Sequence, residues 1–254
     1  MADNRLLIHY APMEKAMDKL NDPGAHPAAL HHSRQELEQW AERYRQRAGS
    51  RTAACAALLD KLFEHRLLDA AAIDRMVELL DILEGLSADP ITISCAMVYV
   101  ASRGGRDVSP ILGDLPADVR LQQEELGKLK HLESDGSLNA TDRSAEGLRR
   151  LFLAQVKEVR VVLVDLAWQL VLMRRLADDS AEGEVLARET MLIHAPLANR
   201  LGIWQLKWEL EDLAFRHLEP AQYRKIAELV AEHRAERERF IVSFMEKLSA
   251  ALAE

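Results

Sequence analysis

Two stretches of this chain are apolar almost all the way round: ITISCAMVYVAS, Ile91 to Ser102, and VRVVLVDLAWQLVLMRRL, Val159 to Leu176. Their length decides what they become. Strands run to about 4–8 residues, whereas helices need about 10–12 or more. The first stretch is β-branched at its start, which also fits a strand, but nothing nearby offers a partner strand. A helix without a polar face belongs at the centre of a domain, so the pair predicts an all-α fold built around two buried helices. Composition agrees: among 254 residues there are only 11 Gly, 8 Pro and 5% aromatics, beside many Ala, Leu, Glu and Arg, a balance that favours helices over sheets.

The remaining helices are set by periodicity and punctuation. Ser33 with Glu36 forms a capping box before RQELEQWAERYRQRA, where Leu37, Trp40, Ala41 and Tyr44 share a face. Further helices are predicted from about Thr52 to His65 and from Ala70 to Gly85, with Gly85 as the stop. Asp89-Pro90 starts the first central helix, and RGGRDVSP breaks it. Pro116–His131, Asp142–Val156, Glu158–Leu176, Ser180–Leu201 and Trp204–His217 continue the series, with Pro196 kinking or dividing the fourth of these. LESDGSLNATD, within 132–142, is a polar connection. Pro220 opens a last long helix in which Tyr223, Ile226, Leu229, Val230 and His233 form a stripe able to dock on the bundle. A second stripe, Phe240, Ile241, Phe244 and Leu248, has less to cover it and predicts either self-association through this C-terminal helix or fraying of it. The domain reading is a loosely ordered leader at 1–33, a helical domain at 34–219, and the long helix at 220–254.

Charge and motifs exclude more than they assign. A formal charge of -8 argues against direct nucleic-acid binding. No stretch approaches the ~20 apolar residues of a membrane span, and the start lacks the pattern of a signal peptide. Two cysteines, Cys55 and Cys95, make no disulfide framework or metal cluster; with the soluble character they predict a reducing, cytoplasmic setting. The nine histidines include no pair three or four apart and no HExxH, so they read as surface or capping residues. Phosphate-binding glycine loops are absent, and Gly104-Gly105 reads as a helix cap and turn. Arg43, Arg45, Arg47 and Arg51 read as a solvated helix face.

One run is specific. HAPLANRLGIWQLKWELEDLAFRHLEPAQYRKIAELV, His194 to Val230, resembles the end of the hydrolase-like domain in the RelA/SpoT family of long (p)ppGpp synthetases and hydrolases, and QLKWELEDLAFRHLEP resembles its synthesis-dedicated RelA-type branch. The likeness extends more weakly through VRVVLVDLAWQLVLMRRLADD, DRMVELLDILEGL and ITISCAMVYVASRGG, covering roughly residues 35 to 254. It implies the all-helical HD-phosphohydrolase fold. It also implies what an active member requires: a manganese ion held by a histidine, a His-Asp pair and a distant aspartate, activating water to remove the 3′ pyrophosphate.

Carried over position by position, the first histidine falls on Arg75, the His-Asp pair on Tyr99 and Val100, and the last aspartate on Trp168. The acidic pair that helps activate water falls on Arg103 and Gly104, and an asparagine beyond the last ligand falls on Leu172. His-Asp occurs nowhere in the chain. A guanidinium stays charged and cannot coordinate. The resemblance therefore implies a degenerate pseudo-hydrolase without catalytic residues, metal or cofactor, which packs on and tunes a synthetase domain of the same parent chain. The parent would be a GTP pyrophosphokinase of the stringent response, moving pyrophosphate from ATP to the 3′ hydroxyl of GTP or GDP, with magnesium expected only in the synthetase. This chain ends at Glu254 before that domain, as a fragment would. Glu236, Arg237 and Phe240 are the expected coupling segment. Two alternatives stand beside this reading. One is a helical module that binds a nucleotide or protein effector in the relic pocket through Arg75 and Arg103. The other is a live hydrolase with atypical ligands. The plain reading of those two arginines is a solvent-facing or salt-bridged position near a turn.

Overall fold

A computed structural model describes residues 33–48, 53–134, 159–177, 181–230, 239–240 and 243–245. The predicted helix at Asp142–Val156, Arg51, Glu236 and Arg237 lie outside them, as do Ile241 and Leu248 of the second stripe. Every regular element among the described residues is helical. No helix there is long and apolar enough to cross a membrane. The chain divides into two compact units, Leu30–Ala214 and one that includes Phe215 onward.

In the first unit the elements are α1 (Arg34–Ala48), α2 (Ala53–Glu64), α3 (Ala70–Gly85), α4 (Pro90–Arg103), α5 (Ser109–Leu112), α6 (Ala117–Ser134), α7 (Val159–Arg175), α8 (Ala181–Glu189), a π-helical turn (Thr190–His194), α9 (Ala195–Arg200) and the start of α10 (Trp204–Leu218). The two apolar stretches become α4 and α7 and occupy the centre, as their lack of a polar face requires. α4 packs on α2, α3, α6 and α7; α7 packs on α3, α4, α6, α8 and the π-turn. From Thr92 to Ala101 every residue of α4 is buried.

Local chemistry sets the helix starts. Ser33 Oγ accepts the Glu36 N–H at 3.3 Å while Glu36 Oε2 accepts the Ser33 N–H at 2.5 Å, the reciprocal capping box. Asp89 caps α4 by accepting the Ile91 N–H at 3.0 Å, with Pro90 in the first turn. Two helix ends show how closure is made. α3 ends at Gly85, as predicted, with Leu86 as its cap. Ser87 takes the left-handed conformation, φ 57°, while the Ala88 N–H reaches back to the Leu83 carbonyl at 3.0 Å. The left-handed residue of this closure thus lies two places beyond the glycine, and a short polar side chain tolerates the conformation at some cost. The Ser180–Leu201 segment is divided next to Pro196, as predicted, and the irregularity takes the form of a π-turn just before it, where the Ala195 N–H donates to the Thr190 carbonyl five residues back. Pro196 then lies in the first turn of α9, where its missing N–H is harmless.

An ionic network that the sequence did not advertise ties α3, α7 and α10. Arg174 donates to Glu209 at 2.6 Å and to Glu78 at 3.2 Å. Arg175 pairs with Glu78 at 2.9 Å and with Asp74, whose side chain is 5% exposed. On the exposed side, Arg43 stands 3.8 Å from Asp81 and Arg45 pairs with Glu42, the solvated face that α1 predicts.

In the second unit, residues 220–230 are helical, and Pro220 stands at their start as predicted. The Glu219 N–H donates to Phe215 and the Tyr223 N–H to Glu219, both at 2.9 Å, and the Phe215 and Tyr223 rings meet edge to face at 6.0 Å. Ile226 and Leu229 of the first stripe are about half exposed, at 50% and 48%. Phe240 and Phe244 stack at 6.3 Å and are exposed.

Removing one partner of a sealed ion pair costs about 3–5 kcal/mol. Arg175 retains Glu78 and some solvent, so Asp74→Ala is expected to lower unfolding stability by about 2 kcal/mol. Urea denaturation checks this; a loss under about 0.5 kcal/mol would mean Glu78 alone holds the network.

Candidate functional site

The site begins on α4. Its helical repeat puts Tyr99 and Arg103 one turn apart on the same face, at the end from which Gly104 and Gly105 turn the chain away. Gly105 adopts φ 72°, a conformation that a side chain would strain. α7 brings Trp168 to the same place. The Tyr99 and Trp168 rings meet edge to face at 5.7 Å and are 3% and 5% exposed. The Arg103 guanidinium donates from Nε to the Tyr99 hydroxyl at 2.9 Å and lies 5.0 Å from the Tyr99 ring centre and 5.9 Å from that of Trp168.

These contacts bring Tyr99, Arg103 and Trp168 into one cluster. Arg103 is half-buried beside the turn that ends α4, and its guanidinium lies against both rings. Two aromatic faces offer its cation a favourable quadrupole, and its stem shares their burial. Val100 is fully buried beside Tyr99 on α4, and Leu172 is half-buried one turn beyond Trp168 on α7. Gly104 caps α4. Arg75, on α3, is half-buried, and its Nε is sealed from solvent without a hydrogen-bond partner.

Next to this cluster lie polar groups that motif reading missed. Asp165, one turn before Trp168 on α7, faces His194 at the end of the π-turn, with Nε2 to Oδ2 at 3.5 Å and both side chains at most 2% exposed. His194 therefore corrects the reading of every histidine as a surface or capping residue. Gln169 donates to the Thr190 hydroxyl at 2.9 Å, and that hydroxyl donates to the Leu186 carbonyl at 2.7 Å. Glu189, at the end of α8, has its carboxyl raised above the usual range. Burial is the main cause; His194 and Arg103 oppose it, and Asp165 adds to it. The available signal was an isolated polar residue in each of two apolar runs, Asp165 in VLVDLAW and His194 in MLIHAPLA. Their separation along the chain hid the pairing.

The cysteines offer no nucleophile. Cys55 donates to the Pro90 carbonyl at 3.3 Å, Cys95 sits under Gln123, and burial pushes both thiols up, Cys95 to about 12. Among the described residues, no three His, Cys, Asp or Glu side chains stand where they could share a metal ion. The carried-over ligand positions hold a guanidinium, a phenol, an alkyl group and an indole, none of them a donor suited to manganese.

A family model described as "HD domain" matches residues 52–204. The chain is 37% identical over 194 residues to the GTP pyrophosphokinase of Haemophilus influenzae, covering 70% of this chain and 24% of that protein. It is 34% identical over 183 residues to the GTP pyrophosphokinase of Escherichia coli K12, covering 70% and 25%. Over a shorter span of 101 residues it is 55% identical to a probable guanosine-3′,5′-bis(diphosphate) 3′-pyrophosphohydrolase of Synechocystis, 39% of this chain and 13% of that protein. The chain thus spans about a quarter or less of the length of these curated relatives.

Truncating a sealed indole removes its packing and leaves a cavity. Trp168→Ala is expected to cost on the order of 3–5 kcal/mol and to release the Arg103 side chain. Thermal and urea unfolding measure it; an unchanged melting temperature would show that Trp168 contributes no packing.

Proposed function

The chain belongs to the HD-domain family and is homologous to GTP pyrophosphokinases and (p)ppGpp hydrolases, and on that premise we propose that it is a catalytically inactive, hydrolase-like regulatory domain. The observation that carries the reading is the Tyr99–Trp168–Arg103 cluster. Hydrolysis of a 3′ pyrophosphate in this family's manner needs a divalent ion to polarise water. Here, at positions carried over from the ion's ligands and their acidic helpers, stand two aromatic rings and a fixed guanidinium. An aspartate at 168 alone would not restore hydrolysis, since Arg75, Tyr99 and Val100 still could not coordinate. In this reading the domain packs on a synthetase domain of a longer parent chain, in the cytoplasm, and tunes its transfer of pyrophosphate from ATP to GTP or GDP.

The route of influence is the C-terminal helix. Residues 220–230, 239–240 and 243–245 are helical. A helix transmits a rotation that a Gly/Ser linker would dissipate. Glu236, Arg237 and Phe240 are the segment where the coupling is placed. A second reading, an effector-binding module, has the sealed, unpartnered Nε of Arg75 in its favour. Saturable binding of GDP or ppGpp, lost in Arg75→Met, would select it.

Two outcomes test the main reading. Incubated with ppGpp and manganese, the chain is expected to release no pyrophosphate; a rate abolished by a chelator would make it a hydrolase. In the full-length parent, inserting Gly-Gly between Glu236 and Phe240 is expected to change regulated synthesis while both domains stay folded. If regulated and basal synthesis are both unaltered, the helix is not the coupling element.

A further inference from the structure

The chain has four tryptophans, and the fold treats them in two ways. Trp40 and Trp168 are sealed, whereas Trp204 and Trp208 of α10 are 51% and 53% exposed. Their place on the helix explains why. The chain leaves α9 through Gly202, at φ 72°, while the Ile203 N–H donates to the Ala198 carbonyl at 2.9 Å, and α10 starts at the next residue. Leu206, Leu210 and Ala214 then form its buried stripe. At about 100° per residue, Trp204 and Trp208 each lie about 200° from Leu206, so they share the opposite face. Burying the leucine stripe turns both indoles outward, where their ring centres stand 6.4 Å apart.

A half-exposed indole pair is an uncommon use of the largest apolar side chain, and tryptophan is enriched among the residues that carry the energy of interfaces. A matching feature lies in the second unit. Phe240 is 72% exposed, Phe244 and Met245 are both 54% exposed, and the two phenyl rings stack with centres 6.3 Å apart. Each aromatic pair is spaced i,i+4, so each makes a short ridge of the kind that interdigitates when helices pack, and the two pitches agree.

Area selects the arrangement. Aromatic side chains bury about 150–250 Å² each, so the two half-exposed indoles offer roughly 200 Å², and Phe240, Phe244 and Met245 together offer roughly 300 Å². Indoles packed on the indoles of a second copy would bury roughly 400 Å² in all, and the phenylalanine group packed on its own copy roughly 600 Å², the size of incidental contacts. A specific interface needs about 1,000 Å². Two copies related by a two-fold axis reach roughly that figure when each presents its phenyl pair to the other's indole pair, because the contact is then made twice. We propose that this chain forms such a reciprocal dimer, with Phe240 and Phe244 of each copy docked on Trp204 and Trp208 of the other. The arrangement gives the exposed C-terminal aromatic pair a defined partner. An interface at the lower limit of area is reversible, so the dimer depends on concentration.

Sedimentation equilibrium of the 254-residue chain from about 1 µM to about 200 µM is expected to show monomer and dimer in exchange. Trp204→Ala/Trp208→Ala and Phe240→Ala/Phe244→Ala are each expected to weaken association by about tenfold or more. All four side chains are exposed, so thermal unfolding of the monomer is expected to stay close to that of the wild type. Cross-linking reads the geometry. Cys55 and Cys95 are buried and unreactive, so Gln205→Cys and Ser243→Cys, both at exposed positions, report on the contact alone. Mixed under mild oxidation, these two variants are expected to give more heterodimer than either gives homodimer by itself. A wild type that stays monomeric across the range overturns the proposal. A dimer that the tryptophan variant leaves intact also overturns it and assigns association to the C-terminal helix alone, as does a mixture that cross-links no better than its components. Should an alanine variant unfold, the cross-linking result decides, since those chains keep all four aromatic residues.

Discussion

The packing of α4 against α7 is the constraint on which the rest depends. Each is apolar nearly all round, so neither has a face it can give to water, and each must be enclosed by other helices. α2, α3 and α6 close around α4, and α3, α6 and α8 around α7. The polar groups that these two helices do carry must then find partners inside the bundle. Gln169 takes Thr190, Asp165 faces His194, and Arg174 and Arg175, at the end of α7, gather acids from α3 and α10. The ionic architecture is a consequence of burying these two helices completely.

The same contact builds the candidate site, placing between α4 and α7 a cation that is covalently part of the protein. The Arg103 guanidinium lies against Tyr99 and Trp168 and interacts with Glu189. A fixed organic cation can neutralise a carboxylate and order aromatic rings; it cannot lower the pKa of a bound water as a metal ion does. The arrangement joins a fixed cation to two packed rings. It also leaves α7 as a common anchor for the aromatic cluster and for the π-turn, since Asp165, Trp168 and Gln169 all project from two adjacent turns of that helix.

Much of the fold was legible because its signals are local. The Ser33–Glu36 box, the Asp89-Pro90 start and the limits of α3 and α7 depend on residues within a few positions of one another. Gly85 ends α3 where expected, with the left-handed residue two places on at Ser87. Pro196 marks where its segment divides, although the sequence did not reveal that a π-turn makes the division. The four-residue α5, which begins within a segment that read only as a break, is too short for periodicity to register.

What the sequence determined by itself was the class of fold, the two helices at its centre and most helix starts, because each rests on side-chain type and spacing along one chain. Only the tertiary structure decided that Arg103 would lie against Tyr99 and Trp168, and that His194 would be sealed against Asp165. It also decided that a π-turn would separate α8 from α9. The two side-chain outcomes join residues far apart along the chain and settle which group loses its water. That loss depends on how many neighbours surround a group in space, a quantity that no stretch of sequence around Asp165 or His194 contains.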